Sequence, residues 1–230
     1  MFLSRRSRQA EYFDVERSTT ELAAFFRCLG RVNRSFAFSE PFERLLPGIA
    51  GEANCHALSI LDLGAGDGML GKKLTDWAQG RGWRWCVTNL DVSLVALGLN
   101  PGGRNVVGSA FAVPFQNSSF DMVIASQMAH HLSDDEVIRL LREAWRISRR
   151  GILICDLHRT LLVYCALWFL LRAQRHTGPF YQDALLSVKR GWRVAELGKL
   201  AETAQVPNVQ VSLLGRSRVV LKGLKESARE

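Results

Sequence analysis

The chain has little that could staple it together covalently. Its five cysteines, Cys28, Cys55, Cys86, Cys155 and Cys165, are odd in number and scattered, with no Cys-x-x-Cys pair. That argues against a disulfide framework and a structural zinc site and favours a reducing compartment. Long hydrophobic runs are missing too. The most apolar stretch, Leu161 to Leu171, has eleven residues, whereas a bilayer span needs about 20, so a buried or interfacial helix is expected there. No apolar segment follows Met1-Phe2-Leu3-Ser4-Arg5-Arg6-Ser7-Arg8, and acids come at once at Glu11, Asp14 and Glu16. A secretory signal reads differently, and a cytoplasmic location is expected.

What is present is apolar content for one core and an uneven surplus of positive charge. At 230 residues and 47% apolar side chains the chain is of single-domain size. The net charge is +8; residues 51–171 hold eleven basic and eleven acidic side chains, whereas residues 172–230 hold eleven and five. A basic C-terminal surface suits an anionic substrate, a membrane surface or nucleic acid, and equally suits a solvated face with no partner.

The chain is organised around Ser59-Ile60-Leu61-Asp62-Leu63-Gly64-Ala65-Gly66-Asp67-Gly68. An apolar run ends in an acid, breaks into alternate glycines, and continues as a helical pattern from Met69, which reads as strand, tight turn, helix. Glycine permits positive φ there and lets a ligand approach the backbone, with the amides that open the helix turned toward it. Before this strand, Ser18 and Glu21 make a capping-box pattern ahead of a helix. A second helical piece runs from about Glu40 to Leu46 and ends near Pro47-Gly48, and residues 1–17 read as a loosely attached arm. After it, strands at about 85–91, 105–107, 120–125 and 151–155 alternate with helices, the longest capped by Ser133 and Glu136. Such βαβ units imply a parallel sheet with helices on both faces. Residues 209–213 and 217–221 look like a closing antiparallel hairpin.

The glycine spacing separates this turn from a dinucleotide fingerprint. There the third glycine follows the second by three residues and an acid lies about 20 residues on. Here the interval is two residues, and the acid ending the second strand, Asp91, lies 27 residues after Gly64. A carboxylate at that strand end offers two acceptor oxygens to a ribose diol; the alternative for Asp91 is a helix N-cap.

Taken in order, Asp62-Leu63-Gly64-Ala65-Gly66-Asp67-Gly68, Asp91, Gly108-Ser109-Ala110 with Pro114-Phe115, Ser119-Phe120-Asp121-Met122-Val123-Ile124-Ala125-Ser126 and Ala129-His130-His131-Leu132 resemble the successive motifs of class I S-adenosylmethionine-dependent methyltransferases, most closely the small-molecule and quinone-biosynthesis branch. The resemblance covers about residues 55–156. It implies an α/β, Rossmann-like, seven-stranded, mostly parallel sheet of order 3-2-1-4-5-7-6 with strand seven antiparallel, helices on both faces and an N-terminal helical extension. Residues 1–50 would then be a helical cap and 51–230 the methyltransferase domain, with a substrate-lid insertion at about 157–195. The resemblance also implies S-adenosyl-L-methionine as cofactor. Gly64, Ala65 and Gly66 would hold its methionine part, with Asp62 near the amino group and Asp91 on the ribose. Val92, Ser109 and Ala110 would meet the adenine, and Ser126 and Gln127 would lie beside the sulfonium.

Displacement of a methyl from sulfur needs alignment and, for a protonated acceptor, a base. His131 is the first candidate, then His158, with His130 also considered, because imidazole titrates near neutrality. Ser126-Gln127-Met128-Ala129 stands where base-amino methylation of nucleic acids commonly uses an Asn- or Asp-Pro-Pro-aromatic motif, which disfavours nucleic acid. Asp156 ends strand five, but strand four ends without a carboxylate, so no metal site is expected. The aromatic segment Tyr164, Trp168, Phe169, Phe180, Tyr181 and Trp192 suits a flat apolar small-molecule acceptor. The apolar helix could otherwise be core, a homodimer face or a peripheral membrane contact helped by the basic tail. The reading is methyl transfer to a small aromatic or quinone-like acceptor, most simply at oxygen; the alternatives are a nucleic-acid or protein methyltransferase and a catalytically silent cofactor-binding member.

Overall fold

The computed structural model describes residues 3–15, 17–51 and 55–225. Seven strands, β1 Ala57–Leu63, β2 Arg84–Asp91, β3 Arg104–Val107, β4 Phe120–Ser126, β5 Ser148–Leu157, β6 Val209–Leu214 and β7 Arg218–Leu224, form one sheet in the order β3-β2-β1-β4-β5-β7-β6. Pairings among β1 to β5 are parallel, and β7 runs antiparallel to both β5 and β6. This is the expected fold class and strand order.

The central strands are buried on both faces, as their unbroken apolar runs require. Successive side chains point to opposite sides. Leu61, Leu63, Val123, Ala125, Ile152 and Ile154 pack on one side with Leu140, Leu141 and Ala144 of helix α5 (Asp134–Ile147) and Leu197 and Ala201 of helix α8 (Val194–Ala204). Ile60, Met122, Ile124, Leu153 and Cys155 pack on the other with Phe42 and Leu46 of α2 (Glu40–Ala50) and Leu70 and Leu74 of α3 (Met69–Gln79). A third apolar cluster joins α1 (Thr19–Ser35), α6 (Leu161–Ala173) and α7 (Gly178–Arg190) through Val32, Val163, Leu167, Leu171, Phe180 and Val188. Between β2 and β3 lies the short helix α4 (Leu94–Gly98). Among the described residues, no helix is long and apolar enough to cross a membrane.

Two local expectations are corrected. Helix α2 does not stop at Pro47 but continues to Ala50. Fully burying Phe42 and Leu46 is worth about 1.5–3 kcal/mol each, enough to offset the roughly 3 kcal/mol that an interior proline costs. The N-terminal segment is also not a loose arm where it is described. The backbone N–H groups of Tyr12 and Phe13 donate to the Asp183 carboxylate (2.9 and 3.1 Å), and Ser7 N–H donates to Lys189 O (3.0 Å). This segment is thereby fastened along α7.

Two glycine substitutions separate packing from propensity. A Cβ on Gly151, in β5, would collide with the Gly223 carbonyl oxygen of β7, so Gly151→Ala should lower the urea midpoint by the equivalent of about 1–3 kcal/mol or more. Gly198, inside α8, has nothing within 4 Å of the place a Cβ would occupy. Gly198→Ala should therefore stabilise by up to about 1 kcal/mol, read in the same urea titration.

Candidate functional site

The turn after β1 is held by its own backbone and by one acid. Gly64 and Gly66 have φ of 68° and 57°. A Cβ on the first would run into the Met128 side chain and one on the second would lie 2.8 Å from the Phe26 ring, so both glycines are required for conformation and for close packing. Gly64 and Ala65 donate their N–H groups to Leu90 O (2.8 and 3.1 Å). Asp91, at the end of β2, accepts from Gly66 N–H and Ser93 N–H, each at 2.8 Å. Ser93, whose hydroxyl accepts from Ala96 N–H, is the cap of α4. Asp91 thus clamps the glycine turn to the second strand and is not itself the helix cap.

Beside this clamp the structure leaves polar groups unsatisfied. Asp62 is 1% exposed, and its Oδ1 has no hydrogen-bond partner. Burial, then the nearby carboxylates of Asp91 and Asp67, push its carboxyl well above the usual range. The Ser126 hydroxyl oxygen is likewise buried without a partner. Gln127, at φ 51°, donates from Nε2 to Asn33 Oδ1 of α1 (3.2 Å). An orphaned buried carboxylate is costly unless a cation or donor completes it.

One cavity of about 710 Å³ brings together Asp62, Gly64, Ala65, Gly66, Asp91, Val92, Ser109, Ala110, Ser126 and Gln127. From the glycine turn it extends between the aromatic rings of Phe13, Phe25, Phe26 and Phe180 to His130 and His131. His158 is not part of its wall: this residue, just beyond β5, directs Nδ1 to Arg216 O (3.2 Å) at the turn between β6 and β7. As a candidate base beside the sulfonium it is set aside, because its strand end faces the hairpin.

The far wall is a network of acids, imidazoles and one guanidinium. His130 is buried; its backbone N–H and Nδ1 engage the two oxygens of Asp156 at 2.9 and 2.7 Å. Its Nε2 has no hydrogen-bond partner and lies 3.9 Å from Glu11 Oε1. His131 Nδ1 meets Asp14 Oδ1 at 2.6 Å. Arg190 of α7 donates to His130 O (3.1 Å), His131 O (2.8 Å), Gln9 O (3.1 Å) and Asp14 Oδ2 (2.5 Å). Ser187 donates its hydroxyl to Glu11 (2.9 Å). Burial pushes the Glu11 carboxyl up to about 7. Burial would also raise Asp14 and Asp156, but hydrogen bonds from His131 and Arg190 hold the first well below its usual range, and the adjacent His130 lowers the second.

The motifs do not reveal Glu11, Asp14 and Asp183, which line the cavity, or Arg190, which braces that wall through Asp14. The only signal for them is an acid pair in a segment without apolar periodicity and an arginine at the end of an otherwise apolar helix face.

Residues 61–155 match the family model described as a methyltransferase domain. The fold is shared with a SAM-dependent methyltransferase from Aquifex aeolicus at 15% identity, covering 90% of this chain and 98% of that one, with a TM-score of 0.57. It is also shared with magnesium protoporphyrin IX methyltransferase from Synechocystis with bound SAH at 14% identity, covering 85% and 84%, with a TM-score of 0.55. Human N-acetylserotonin methyltransferase in complex with SAM aligns at 16% identity over 90% of this chain and 56% of that one, with a TM-score of 0.60. A comparison with curated proteins finds no match. Residues 61–155 thus match a methyltransferase domain, within a fold that these S-adenosylmethionine-dependent methyltransferases share.

Arg190 should be the side chain on which the far wall depends. Arg190→Met leaves the main-chain carbonyls of Gln9, His130 and His131 without this donor and Asp14 without its guanidinium, and a loss of about 3–5 kcal/mol is expected on urea unfolding. Arg190→Lys should recover little of it, because a point charge cannot serve four acceptors in the plane of a fork.

Proposed function

We propose that the chain transfers methyl to an oxygen of a small, largely apolar acceptor, aromatic or quinone-like. The observation that supports this reading is one cavity lined together by the glycine turn, the two histidines and four phenylalanine side chains. Phe13 and Phe25 lie 4.3 Å apart between ring centroids, and Phe25 and Phe180 lie 5.5 Å apart. Such a wall selects flat, apolar molecules. A smaller apolar chamber of about 70 Å³ adjoins it between Val32, Val163 and Leu167, with room for an alkyl substituent. In this reading residues 1–50 form the cap, and 157–195, with α6 and α7, form the lid. Two structural neighbours are named for small-molecule acceptors, magnesium protoporphyrin IX and N-acetylserotonin, which agrees in kind.

The residues at the glycine end suit the cofactor. Asp62 would accept from its ammonium group and regain the partner it lacks, Asp91 would use its remaining lone pairs on the ribose diol, and Val92, Ser109 and Ala110 would border the adenine. Gly64 to Gly66 would flank the methionine part, with Ser126 and Gln127 near the sulfur. When bound, S-adenosylmethionine supplies an electrophilic methyl on a positively charged sulfur, which an acceptor oxygen takes as the neutral thioether leaves. At the other end Asp156 holds the Nδ1–H tautomer of His130, leaving the Nε2 lone pair toward Glu11 and the cavity. We assign His130, ahead of His131, as the base that takes the acceptor's proton.

Calorimetry tests the cofactor half. An ammonium favours ionised Asp62, whereas the free site favours its neutral form, so binding of S-adenosylhomocysteine should release a proton and weaken as pH falls. Proton release is read from titrations in two buffers of different ionisation heat, and Asp62→Asn should abolish it and weaken binding about tenfold or more. Unchanged affinity and proton count in that variant would remove Asp62 from the site. For the acceptor half, a panel of phenols and hydroquinones with labelled cofactor should yield methylated product, and His130→Gln should lower kcat about 10²–10⁴-fold while leaving S-adenosylhomocysteine affinity in place. Equal turnover in the variant would leave alignment alone as the source of rate.

A further inference from the structure

The far wall of the cavity has the composition of a metal centre as well as that of a base. One carboxylate oxygen of Glu11 and one ring nitrogen each of His130 and His131 lie within 4.8 Å of one another. We propose that these three side chains bind a divalent first-row transition ion and that this ion holds the acceptor oxygen during methyl transfer. The ion's role toward the acceptor rests on the function proposed above; its binding does not.

Four observations converge on it. Two imidazoles and one carboxylate suit zinc, cobalt or iron(II) and leave a position open, whereas magnesium favours an all-oxygen shell. His130 is 3% exposed, and its Nε2, with no hydrogen-bond partner, lies 3.9 Å from the Glu11 oxygen; a buried lone pair with no donor is what a ligand atom looks like without its ion. Both histidines place Nδ1 on a carboxylate, His130 on Asp156 at 2.7 Å and His131 on Asp14 at 2.6 Å. That outer shell fixes ring orientation and raises the basicity of the other nitrogen. Finally, Arg190 spends its hydrogen-bond donors on Asp14 and the carbonyls of Gln9, His130 and His131 and meets Glu11 only as an ion pair at 3.9 Å, without a hydrogen bond. The side chain that does donate to Glu11 is the neutral Ser187 hydroxyl.

With metal bonds of about 2.0–2.2 Å, tetrahedral donors sit about 3.4 Å apart. The present separations would close by about 0.5–1.5 Å, within reach of side-chain rotation. An acceptor hydroxyl in the open position gives up its proton more readily, as water on zinc does. The O–H bond breaks with its proton passing to solvent, the oxygen pair forms the new bond to methyl, and the electron pair of the broken C–S bond stays on sulfur. Nε2 of His130 cannot ligate and take the proton at once, so the loaded site uses the ion where the metal-free site uses the imidazole.

The full chain, stripped with chelator and desalted, is titrated with Co²⁺ and then Zn²⁺, with metal content measured after a second desalting. One equivalent of ion is expected, with a cobalt visible spectrum lacking the thiolate charge-transfer band that a site at the cysteines would give. Glu11→Gln and His131→Gln should each lose retention, and Asp156→Asn should weaken it about 10–100-fold. S-adenosylhomocysteine binding, measured on each variant, reports that the fold is intact. No ion retained by the wild-type chain, retention unchanged in both Glu11→Gln and His131→Gln, or a thiolate band would overturn the metal site. If the wild-type chain binds S-adenosylhomocysteine and methylates an acceptor in chelator, the proposed function survives without the ion; if it retains the ion but methylates nothing, that function fails separately.

Discussion

A single buried guanidinium joins three parts of the chain that lie far apart in sequence. Arg190 sits at the end of α7, yet its donors reach Gln9 and Asp14 of the N-terminal segment and the carbonyls of His130 and His131 after β4. Taking an arginine out of water costs several kcal/mol unless its donors are matched. The planar fork makes that matching geometric, because four acceptors must lie around one plane. The position of Glu11 against His130, and so the shape of the cavity's far wall, follows from this one residue. Asp183 repeats the logic with opposite charge, its two oxygens accepting from the N–H groups of Tyr12 and Phe13.

The cofactor end is held by a different device. There the backbone does most of the positioning: two positive-φ glycines, amides tied to Leu90 O, and Asp91 bridging Gly66 and Ser93. None of these contacts depends on a ligand, so the turn is ordered before binding and little conformational entropy remains to be lost. Asp62 is the exception. It is buried among acids with an oxygen unpaired, an arrangement that either a bound proton or a positively charged partner relieves.

This contrast explains what the sequence could and could not reveal. The glycine turn, Asp91 and the alternation of strands with helices are legible because each follows a local rule: positive φ at a tight turn, an acid at a strand end, apolar runs succeeded by helical patterns. The strand order and the ten cofactor contacts came with the family resemblance, and those ten residues share one cavity wall. The histidine wall of the cavity is built from contacts of long sequence separation. Asp14 meets His131 across 117 positions and Arg190 across 176, and no spacing rule connects such residues. Two acids in a polar stretch therefore look like solvated arm residues until α7 is in place to receive them. His158 shows the converse error. It stands at the end of a strand, as a base could, but the hairpin of β6 and β7 occupies the side to which it turns.

In the proposed function, selectivity belongs to the apolar part of the cavity. Hydrogen-bonding groups line it at the glycine turn and at the histidines, and the rings of Phe13, Phe25, Phe26 and Phe180 with Leu22 and Leu29 line it elsewhere. An acceptor whose reactive oxygen reaches the histidines leaves no polar atom stranded if the rest of it is hydrocarbon or aromatic. A second hydroxyl placed against those rings would lose its water without replacement. That costs about 1–3 kcal/mol, or roughly 5- to 150-fold in binding. On that proposal, reactivity would be set at the glycine turn and the histidines and discrimination by the apolar wall, in segments that Arg190 and Asp183 hold in place.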